Sequence, residues 1–549
     1  MKPFLAAISA IALGAAQASV ALAADKPATG DATPAAPDHK PAQDQIFQPQ
    51  AVTTSGTVTV GGKPIAYDAV AGTLVVHAPG WDDTAWREAA ATPGAEKEKT
   101  PPSAEASVFY TAYFKKGAPS ASRPVMFLFN GGPGSATVWL HMGAFGPKRV
   151  VTAESTHTPA APYNLVNNAY SLLDVADLVF IDAPGAGFSR IAGKDKEKAF
   201  WGVDADAHAF AGFIKGFLSK YNRWNSPKYL FGESYGTPRA AVLVNQLETD
   251  DGIDFNGVVM LSQILNFDLS IDTPVLNPAN DLPYVAGLPT MAATAWYHNR
   301  LAGTRPADLD TFLKEVENFA LTDYAAALQQ GSLLDPAHKK AMAEKLAGYT
   351  GLSADYIQKS DLRIDGGQFE QQLQIGSELT TGRLDSRFSG PAMDLLEKRA
   401  DYDPQSAAIS SAYVAAFNDY ARTTLHYGAD QTYKLFADVG GHWDFSHRQP
   451  GMRNPFRGAT NVMPDLAQAM KYNPDLKILV TGGYFDLATP YYQGVYEMHH
   501  MPIPASLQKN IEYKYFPSGH MVYAIESSLK GLHDTVAEFV SRTDNLPAK

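Results

Sequence analysis

The stretch LFGESYGTPRA, residues 230–240, places Ser234 between two glycines, each two positions away. The residues that lead into it, KYLFG, form an apolar and aromatic run that is typical of a buried strand. The residues that follow carry apolar side chains at helical spacing, at Ala240, Val244 and Leu247. This pattern predicts that Ser234 lies on a turn between a strand and a helix.

A turn of this kind explains the two glycines. At positions 232 and 236 the backbone approaches its neighbours too closely for a Cβ atom. The turn lifts the serine hydroxyl above the sheet at the N-terminus of a helix, where the helix dipole stabilises a developing oxyanion. The pattern G-x-S-x-G also occurs by chance, so an ordinary turn serine is the alternative, but the flanking strand and helix favour a nucleophile.

Short apolar runs before this turn predict strands, and the early ones are expected to pair antiparallel. They are GTVTV at 56–60, TLVVH at 73–77, SVFYTAYF at 107–114 and VMFLFN at 125–130. After Asn130, buried-looking strands such as DLVFIDAP alternate with helical stretches such as DADAHAFAGFIKGFLSKY. This alternation predicts an α/β fold, with a mostly parallel central sheet that is covered by helices.

A long helical segment interrupts the alternation. Residues 268–433 are mostly helical in pattern and contain no convincing central strand, which predicts a helical cap inserted into the domain. Strand patterns return at LKILVTGG, 476–483, and at IEYKYFPS, 511–518. We therefore expect a core in two parts, residues 51–267 and 434–549.

A serine nucleophile needs a base, and the base needs an orienting acid. Asp486 follows LKILVTGG, and His520 follows IEYKYFPS. The order serine, aspartate, histidine, with each residue after a strand, is that of the α/β-hydrolases. A capping aspartate or a structural histidine is the alternative for either residue alone, but together the three predict a catalytic triad of Ser234, Asp486 and His520.

An oxyanion hole requires two backbone donors that point at the same place. The N–H of Tyr235, directly after Ser234, is one candidate. The Gly-rich loop in VMFLFNGGPGSAT provides the other, and we expect it to be the N–H of Gly132. Among the aromatic residues beside these loops, only Tyr235 is predicted to line a substrate pocket.

The N-terminus, MKPFLAAISAIALGAAQASVALAADKP, has one cation, then an apolar run, then small residues. This pattern predicts a secretory signal peptide at 1–23, cleaved after Ala23, and not a membrane anchor, because no basic cluster follows the run. Residues 24–50 are rich in Ala, Pro, Asp and Lys and are expected to be a disordered linker. The mature protein is therefore expected to be periplasmic or secreted, with no membrane span.

The composition excludes several kinds of site. The absence of cysteine excludes a thiol nucleophile and any cysteine-ligated metal. A formal net charge of −12 gives no electrostatic reason to bind nucleic acid or an anionic membrane. His442 and His447 have a spacing compatible with a metal, and His499 and His500 are adjacent, but no H-E-x-x-H motif accompanies them. Loop packing is the preferred interpretation, and no metal or cofactor is predicted.

Five blocks of this sequence, in this order, resemble those of the serine carboxypeptidase family. They are NGGPGS at 130–135, FIDAPGAGFSR at 180–190, FGESYG at 231–236, GGYFDLATP at 482–490 and SGHMV at 518–522. The resemblance implies an α/β-hydrolase core with a helical cap and an enzyme that acts on the C-terminal peptide bond of its substrate.

The resemblance also implies that Asn130 and Glu233 hold the terminal carboxylate of the substrate, because the family uses an asparagine and a glutamate at these places. Two acids bind each other well only when one of them carries a proton, so acidic pH is expected to favour activity. The alternative for Glu233 is a helix N-terminal charge. A second glutamate of the family, in an E-x-G-P block, is replaced here by Ala144 in HMGAFGPK.

The predicted function is therefore a serine carboxypeptidase that releases C-terminal residues from peptides through an acyl-enzyme on Ser234. Because of Ala144, an esterase, an amidase or an acyltransferase with the same triad remains the first alternative. A non-catalytic periplasmic binding protein is the second. The expected partner is a peptide substrate.

Overall fold

The computed structural model describes residues 46–82, 84 and 103–547. The predicted signal peptide and most of the predicted linker lie outside this part of the chain. Within it, no helix is both long and apolar enough to cross a membrane.

The strands of the described residues are β1 (Ala51–Val60), β2 (Lys63–His77), β3 (Glu105–Lys115), β4 (Val125–Phe129), β5 (Lys148–Val150), β6 (Leu165–Asn167), β7 (Asp177–Ile181), β8 (Arg190–Ala192), β9 (Lys228–Glu233), β10 (Gly257–Leu261), β11 (Leu379–Thr381), β12 (Ser389–Pro391), β13 (Lys477–Gly483) and β14 (Ile511–Phe516). The α-helices are α1 (Lys196–Phe200), α2 (Val203–Lys220), α3 (Gly236–Thr249), α4 (Leu282–Tyr297), α5 (Leu309–Phe319), α6 (Ala325–Gln330), α7 (Pro336–Thr350), α8 (Ala354–Lys359), α9 (Gly366–Gln372), α10 (Pro404–Thr423), α11 (Met463–Tyr472), α12 (Tyr491–His499), α13 (Ala505–Gln508) and α14 (Glu526–Thr543).

One large sheet forms the centre of the fold, in the order β1-β2-β3-β7-β4-β9-β10-β13-β14, with β8 paired to β3. The pairings from β1 through β3 to β7 are antiparallel. Every pairing from β7 to β14 is parallel. The predicted α/β fold with early antiparallel strands is confirmed.

The burial of the strands follows from this topology. All five residues of β4, of β7 and of β10 are buried. This matches their mostly apolar sequences, VMFLF, DLVFI and GVVML; the one charged residue, Asp177 of β7, is paired with Arg123 and Arg223. Parallel strands covered by helices on both faces have this pattern, because neither face is exposed to water. The edge strand β1 instead alternates exposed and less exposed residues over most of its length.

The helical segment after β10 contains two different packing environments. Helices α4 to α9 build a second apolar cluster, which includes Leu288, Phe312 and Leu346 and also takes in Phe485 and Leu487 from the loop after β13. Helix α10 packs into the main core instead. The bounds of the predicted cap, 268–433, remain a prediction. The first part of this segment packs against the loop that carries Asp486.

Residues 434–461 cross the carboxyl edge of the parallel strands. The segment makes isolated bridges from Phe436 to Ser135 and from Lys434 to Gly187. Trp443 stacks edge-on against Tyr235, with ring centroids 5.1 Å apart. The segment therefore lies against both the NGGPGS loop and the residue after Ser234.

A buried histidine fastens this segment to the core. His447 Nδ1 lies 2.5 Å from Asp204 Oδ1, and its Nε2 lies 2.8 Å from Asp465 Oδ2. Burial lowers the pKa of His447, but the two carboxylates outweigh it and raise the pKa to about 9. His447 is thus a cation held between two acids.

Replacing His447 by glutamine is expected to lower the free energy of unfolding at pH 6 by about 3 kcal/mol, because the buried carboxylate of Asp465 loses its cation. The raised pKa fixes the sign of the pH dependence: the stabilisation is fully present below the ordinary histidine pKa and is lost as pH rises through about 9. Urea unfolding of both proteins at pH 6 and pH 9.5 measures it. The exposed His442, changed to glutamine, is the matched control, and an equal deficit at both pH values would contradict the ion-pair role.

Candidate active site

Ser234 lies where the sequence predicts it, on the turn between β9 and α3. Its φ angle is +59°, in the left-handed region that side-chain-bearing residues rarely adopt. A Cβ at Gly232 would collide with the carbonyl oxygen of Gly236, and a Cβ at Gly236 would lie 2.8 Å from the carbonyl oxygen of Phe129. Both glycines are therefore required by close backbone approach.

Strand β10, the neighbour of β9, connects this turn to the histidine. The N–H of Ser234 donates to the carbonyl of Leu261 at 3.0 Å. The next residue, Ser262, donates its hydroxyl to the carbonyl of His520 at 2.7 Å. Ser262 is buried. Two neighbouring residues at the end of β10, Leu261 and Ser262, are thus hydrogen-bonded to the backbones of the predicted nucleophile and the predicted base.

Asp486 and His520 are brought together by the neighbouring strands β13 and β14. His520 Nδ1 lies 2.7 Å from Asp486 Oδ2. The carboxylate of Asp486 also accepts the N–H groups of Ala488 and Thr489 at 2.9 and 3.0 Å, and the hydroxyl of Thr489 at 2.7 Å. These donors fix the carboxylate in one orientation toward the imidazole.

The charges around His520 favour its protonated form. Burial lowers the pKa of His520, but the nearby carboxylate of Asp486, its hydrogen bond, and the charge of Glu233 together raise it above the ordinary value. An imidazole in this setting is suited to accept a proton and to be stabilised as the imidazolium.

A loop from within the predicted insertion supports both residues. The N–H of His520 donates to the carbonyl of Leu384 at 2.7 Å, and the N–H of Leu487 donates to the carbonyl of Arg383 at 3.0 Å. A Cβ at Gly519 would collide with Asp385. The sequence analysis missed this loop, because no local pattern in GRLDSRF indicates contacts with residues a hundred positions away.

The NGGPGS loop lies directly against the serine turn. A Cβ at Gly131 would collide with the backbone nitrogen of Tyr235. Gly132 has a φ of +107°, and a Cβ there would lie 2.8 Å from the nitrogen of Ser135. The two segments that carry the predicted oxyanion donors, Gly132 and Tyr235, are therefore in contact.

A buried arginine holds the start of that loop. Arg239 Nη1 donates to the carbonyl of Asn130 at 2.7 Å, and its Nε lies 2.5 Å from Asp206 Oδ2. Both charged side chains are almost fully buried. Arg239 is part of the quoted stretch, but nothing in the sequence indicates which carbonyl it reaches.

Glu233 and Asn130, the predicted carboxylate-binding pair, lie side by side and are both 3% exposed. Burial raises the pKa of Glu233 to about 7, although the charge of His520 and hydrogen bonds from Tyr523 and Asn130 lower it. The Tyr523 hydroxyl donates to Glu233 Oε2 at 2.8 Å. Glu233 is therefore a buried acid that changes its charge near neutral pH.

Two other residues that the sequence analysis singled out, Tyr235 and Ala144, have buried side chains. The side chain of Tyr235 is only 2% exposed and packs against Trp443 and Phe267. Ala144 is fully buried in a single π-helical turn, Leu140–Phe145. Within the described ranges, no group of three or more histidine, aspartate or glutamate side chains is arranged to hold a metal ion.

The fold and the position of these residues define a class. A mostly parallel sheet, with a strained serine turn after one strand and an aspartate and a histidine after two later strands, is the α/β-hydrolase arrangement. The profile of the serine carboxypeptidase family matches residues 99–433, which is more than half of the chain. The protein belongs to the serine carboxypeptidase family.

Three individual proteins that resemble this chain share less than a third of their aligned residues with it. A carboxypeptidase Y homolog from Arthroderma benhamiae is 28% identical over 178 residues, a match that spans 32% of this chain and 33% of that protein. Kex1Δp, a prohormone-processing carboxypeptidase from Saccharomyces cerevisiae, is 14% identical, with a TM-score of 0.48 over 86% of this chain and 91% of that one. Proline iminopeptidase from Mycobacterium smegmatis is 13% identical, with a TM-score of 0.32 over 89% and 99% of the two chains. The family assignment depends on the profile match and not on these structures.

Proposed function

We propose that the protein is a serine carboxypeptidase that releases C-terminal residues from peptides through an acyl-enzyme on Ser234. The observation that carries this proposal is the position of Glu233. A buried acid with a pKa of about 7 stands directly before the strained serine and interacts electrostatically with His520. A serine site with a protonatable acid beside it is suited to a substrate that ends in a carboxylate.

In the proposed reaction, Ser234 Oγ attacks the carbonyl carbon of the last peptide bond while His520 Nε2 takes its proton. The contact of Nδ1 with Asp486 assigns the Nδ1–H tautomer, which leaves Nε2 free to act as the base. The imidazolium then gives the proton to the leaving amine, and the C-terminal residue departs. Water, deprotonated by the same histidine, releases the acyl group from Ser234.

The N–H groups of Tyr235 and Gly132 are proposed to stabilise the oxyanion. Tyr235 N–H lies at the start of α3, where the helix dipole adds to its effect. The close approach of Gly131 to the Tyr235 nitrogen supports the proposal that both N–H groups can reach the same oxyanion.

The terminal carboxylate of the substrate is proposed to bind Glu233 and Asn130. Below pH 7 Glu233 is mostly neutral, so its O–H can donate to the carboxylate. Above pH 7 it becomes an anion and repels the carboxylate.

A pH profile tests this recognition. For a free-acid peptide, KM is expected to rise as pH increases through about 7, because the neutral form of Glu233 is lost. Glu233→Gln keeps a neutral donor at all pH values, so the rise is expected to flatten while kcat changes little. The same peptide as a C-terminal amide is expected to show little pH dependence of KM. Steady-state kinetics between pH 5 and pH 9 measure KM in the three cases: wild type with the free acid, Glu233→Gln with the free acid, and wild type with the amide.

Glu248→Gln is the matched control, because Glu248 is another buried acid whose pKa burial raises, here to about 8, and its partners are Asn473 and Phe255. This control is expected to keep the wild-type profile. Identical KM profiles for the free acid and the amide, unchanged by Glu233→Gln, would contradict exopeptidase specificity.

One observation favours a second candidate function. Ala144 stands where the family's second glutamate is expected, and its methyl group is fully buried. A site with one acid fewer is also suited to esters or amides, so an esterase, an amidase or an acyltransferase on the same triad is the second candidate. A non-catalytic binding protein is the third, and fluorophosphonate labelling of wild type but not of Ser234→Ala separates it from both enzymes.

We further propose that the protein is exported to the periplasm or the medium, which rests on the predicted signal peptide. Immunoblotting of cell fractions for the full chain and for a chain without residues 1–23 tests this location.

A further inference from the structure

Tyr523 is a buried residue that neither the triad nor the oxyanion hole uses. It lies in the short 3-10 turn Val522–Ala524, which follows His520, and it is 3% exposed. Its hydroxyl donates to Glu233 Oε2 at 2.8 Å. The segment after β14 therefore carries both the predicted base and a donor to the predicted carboxylate-binding acid.

The ring of Tyr523 packs against Gly143, the residue before Ala144. A Cβ at Gly143 would lie 2.8 Å from Tyr523 Cδ2 and would collide with the hydroxyl of Tyr413. Ala144, the next residue, contributes only a methyl group. Two tyrosines thus pack against the segment where an acidic partner of Glu233 is expected.

Asn130 completes the group. Its Oδ1 accepts the N–H of Leu140 at 3.0 Å, which fixes the orientation of the amide and leaves its NH₂ as the free donor. The Asn130 side chain interacts with both Glu233 and Tyr523. The hydroxyl of Tyr523 donates to the acid and lies within the influence of the Asn130 amide.

A neutral carboxyl group has one oxygen that accepts and one O–H that donates. Since Tyr523 donates to Oε2, the proton of neutral Glu233 belongs on Oε1. Burial raises the pKa of Tyr523 well above its ordinary value, so the phenol stays a donor at any pH at which the protein is studied.

We propose that Tyr523 is a positioning residue for recognition of a free C-terminal carboxylate: its hydroxyl occupies Oε2 of Glu233 and directs the acid's proton to Oε1, toward the substrate. This inference rests on the proposed function. In this proposal the residue that assists Glu233 is a tyrosine. The second glutamate that the family resemblance leads one to expect is Ala144 in this chain.

Tyr523→Phe tests the proposal. At pH 5, where Glu233 is neutral with or without this hydrogen bond, KM for a free-acid peptide is expected to rise about tenfold, as for the loss of one hydrogen bond to an ionisable group. For this substrate kcat is expected to stay within about twofold of wild type, since Ser234 and His520 are untouched. Neither constant is expected to change for the same peptide as a C-terminal amide.

Tyr515→Phe is the matched control. It removes a buried hydroxyl from a tyrosine that has no hydrogen-bond partner among the described residues, and it is expected to leave the KM ratio of the two peptides unchanged. A partly unfolded preparation lowers the active fraction for both peptides equally, so the KM ratio remains informative. In a Glu233→Ala background, which removes the oxygen that accepts the Tyr523 hydroxyl, Tyr523→Phe is expected to have much less effect, because the two residues act through one contact.

An equal loss on free-acid and amide peptides, or a fall in kcat with an unchanged KM, would show a merely structural hydroxyl and overturn the proposal. The outcome for wild type separates this failure from that of the proposed function. If wild type itself does not discriminate free acid from amide, the carboxypeptidase function fails. If wild type discriminates and Tyr523→Phe discriminates equally, only the role of Tyr523 fails.

Discussion

Replacing Ser234 by alanine is expected to lower kcat by about 10⁴- to 10⁶-fold, because the proposed nucleophile is lost and only binding and the proposed oxyanion donors remain. His520→Ala is expected to have a similar effect, and Asp486→Ala a milder one. Steady-state hydrolysis of a free-acid peptide measures the losses, and circular dichroism checks that the fold persists. Ser528→Ala, a change at a buried serine of helix α14, is the matched control and is expected to keep wild-type activity.

The double mutant gives the sharper result. Residues that act as one unit lose their function together, so Ser234→Ala combined with His520→Ala is expected to be no worse than either single change. The contact between Asp486 and His520 at 2.7 Å, together with the hydrogen bonds from Ser234 N–H to Leu261 and from Ser262 to the His520 carbonyl, places the three residues at one edge of the sheet. A double mutant that loses the product of the two single losses would contradict it.

Replacing Gly132 by alanine is expected to lower kcat by about 10²- to 10³-fold, which corresponds to the loss of the proposed oxyanion donor at about 3 kcal/mol. The physical reason lies in the loop. Gly132 has a φ of +107°, and a Cβ there would lie 2.8 Å from the Ser135 nitrogen, so the loop must shift to accept a methyl group. Because the proposed donor would act only in the transition state, kcat is expected to fall with little change in KM.

Gly117→Ala separates backbone strain from crowding in the loop. Gly117 also has a positive φ, +74°, but no atom lies within 4 Å of an added Cβ. This variant is expected to lose some stability and to keep wild-type kcat. An unchanged kcat for Gly132→Ala would place the second donor elsewhere.

Much of the fold is predictable from local sequence because the relevant forces are local. Continuous apolar runs such as VMFLF and GVVML indicate strands buried on both faces, and their alternation with amphipathic helices indicates a parallel sheet. The glycines around Ser234 are readable for the same reason, since a Cβ at Gly232 or Gly236 has no room. The placement of Asp486 and His520 after strands then follows from the strand pattern, while their catalytic roles stay predictions.

The supporting contacts were not predictable because their partners are far apart in the chain. Leu384 lies more than a hundred positions before His520, and only the folded chain shows that its carbonyl accepts the His520 N–H. Tyr523 is within reach of a sequence argument, since it follows the SGHMV block. Its contact with Glu233 is not, because β10 and β13 lie between β9 and β14 in the sheet and only the path of the chain after β14 brings the two residues together. The ion pairs of His447 are equally non-local.

The helical insertion shows a further limit of sequence patterns. Helical periodicity identifies an apolar face but not the surface that it covers. Helix α10 and helices α4 to α9 all belong to the helical stretch, yet α10 packs into the main core and the others build a second cluster. A boundary at residue 433 therefore reflects where the helical pattern ends, and the packing changes earlier in the chain.

Time-resolved mass spectrometry of one peptide, with a free and with an amidated C-terminus, tests the central claim most directly. The account predicts that wild type removes residues one at a time from the free C-terminus, leaves the N-terminus intact and acts much more slowly on the amide. It predicts that Ser234→Ala cleaves neither peptide. Internal cleavage, equal action on both peptides, or an intact free-acid peptide with a Ser234 that still reacts with a fluorophosphonate would contradict it.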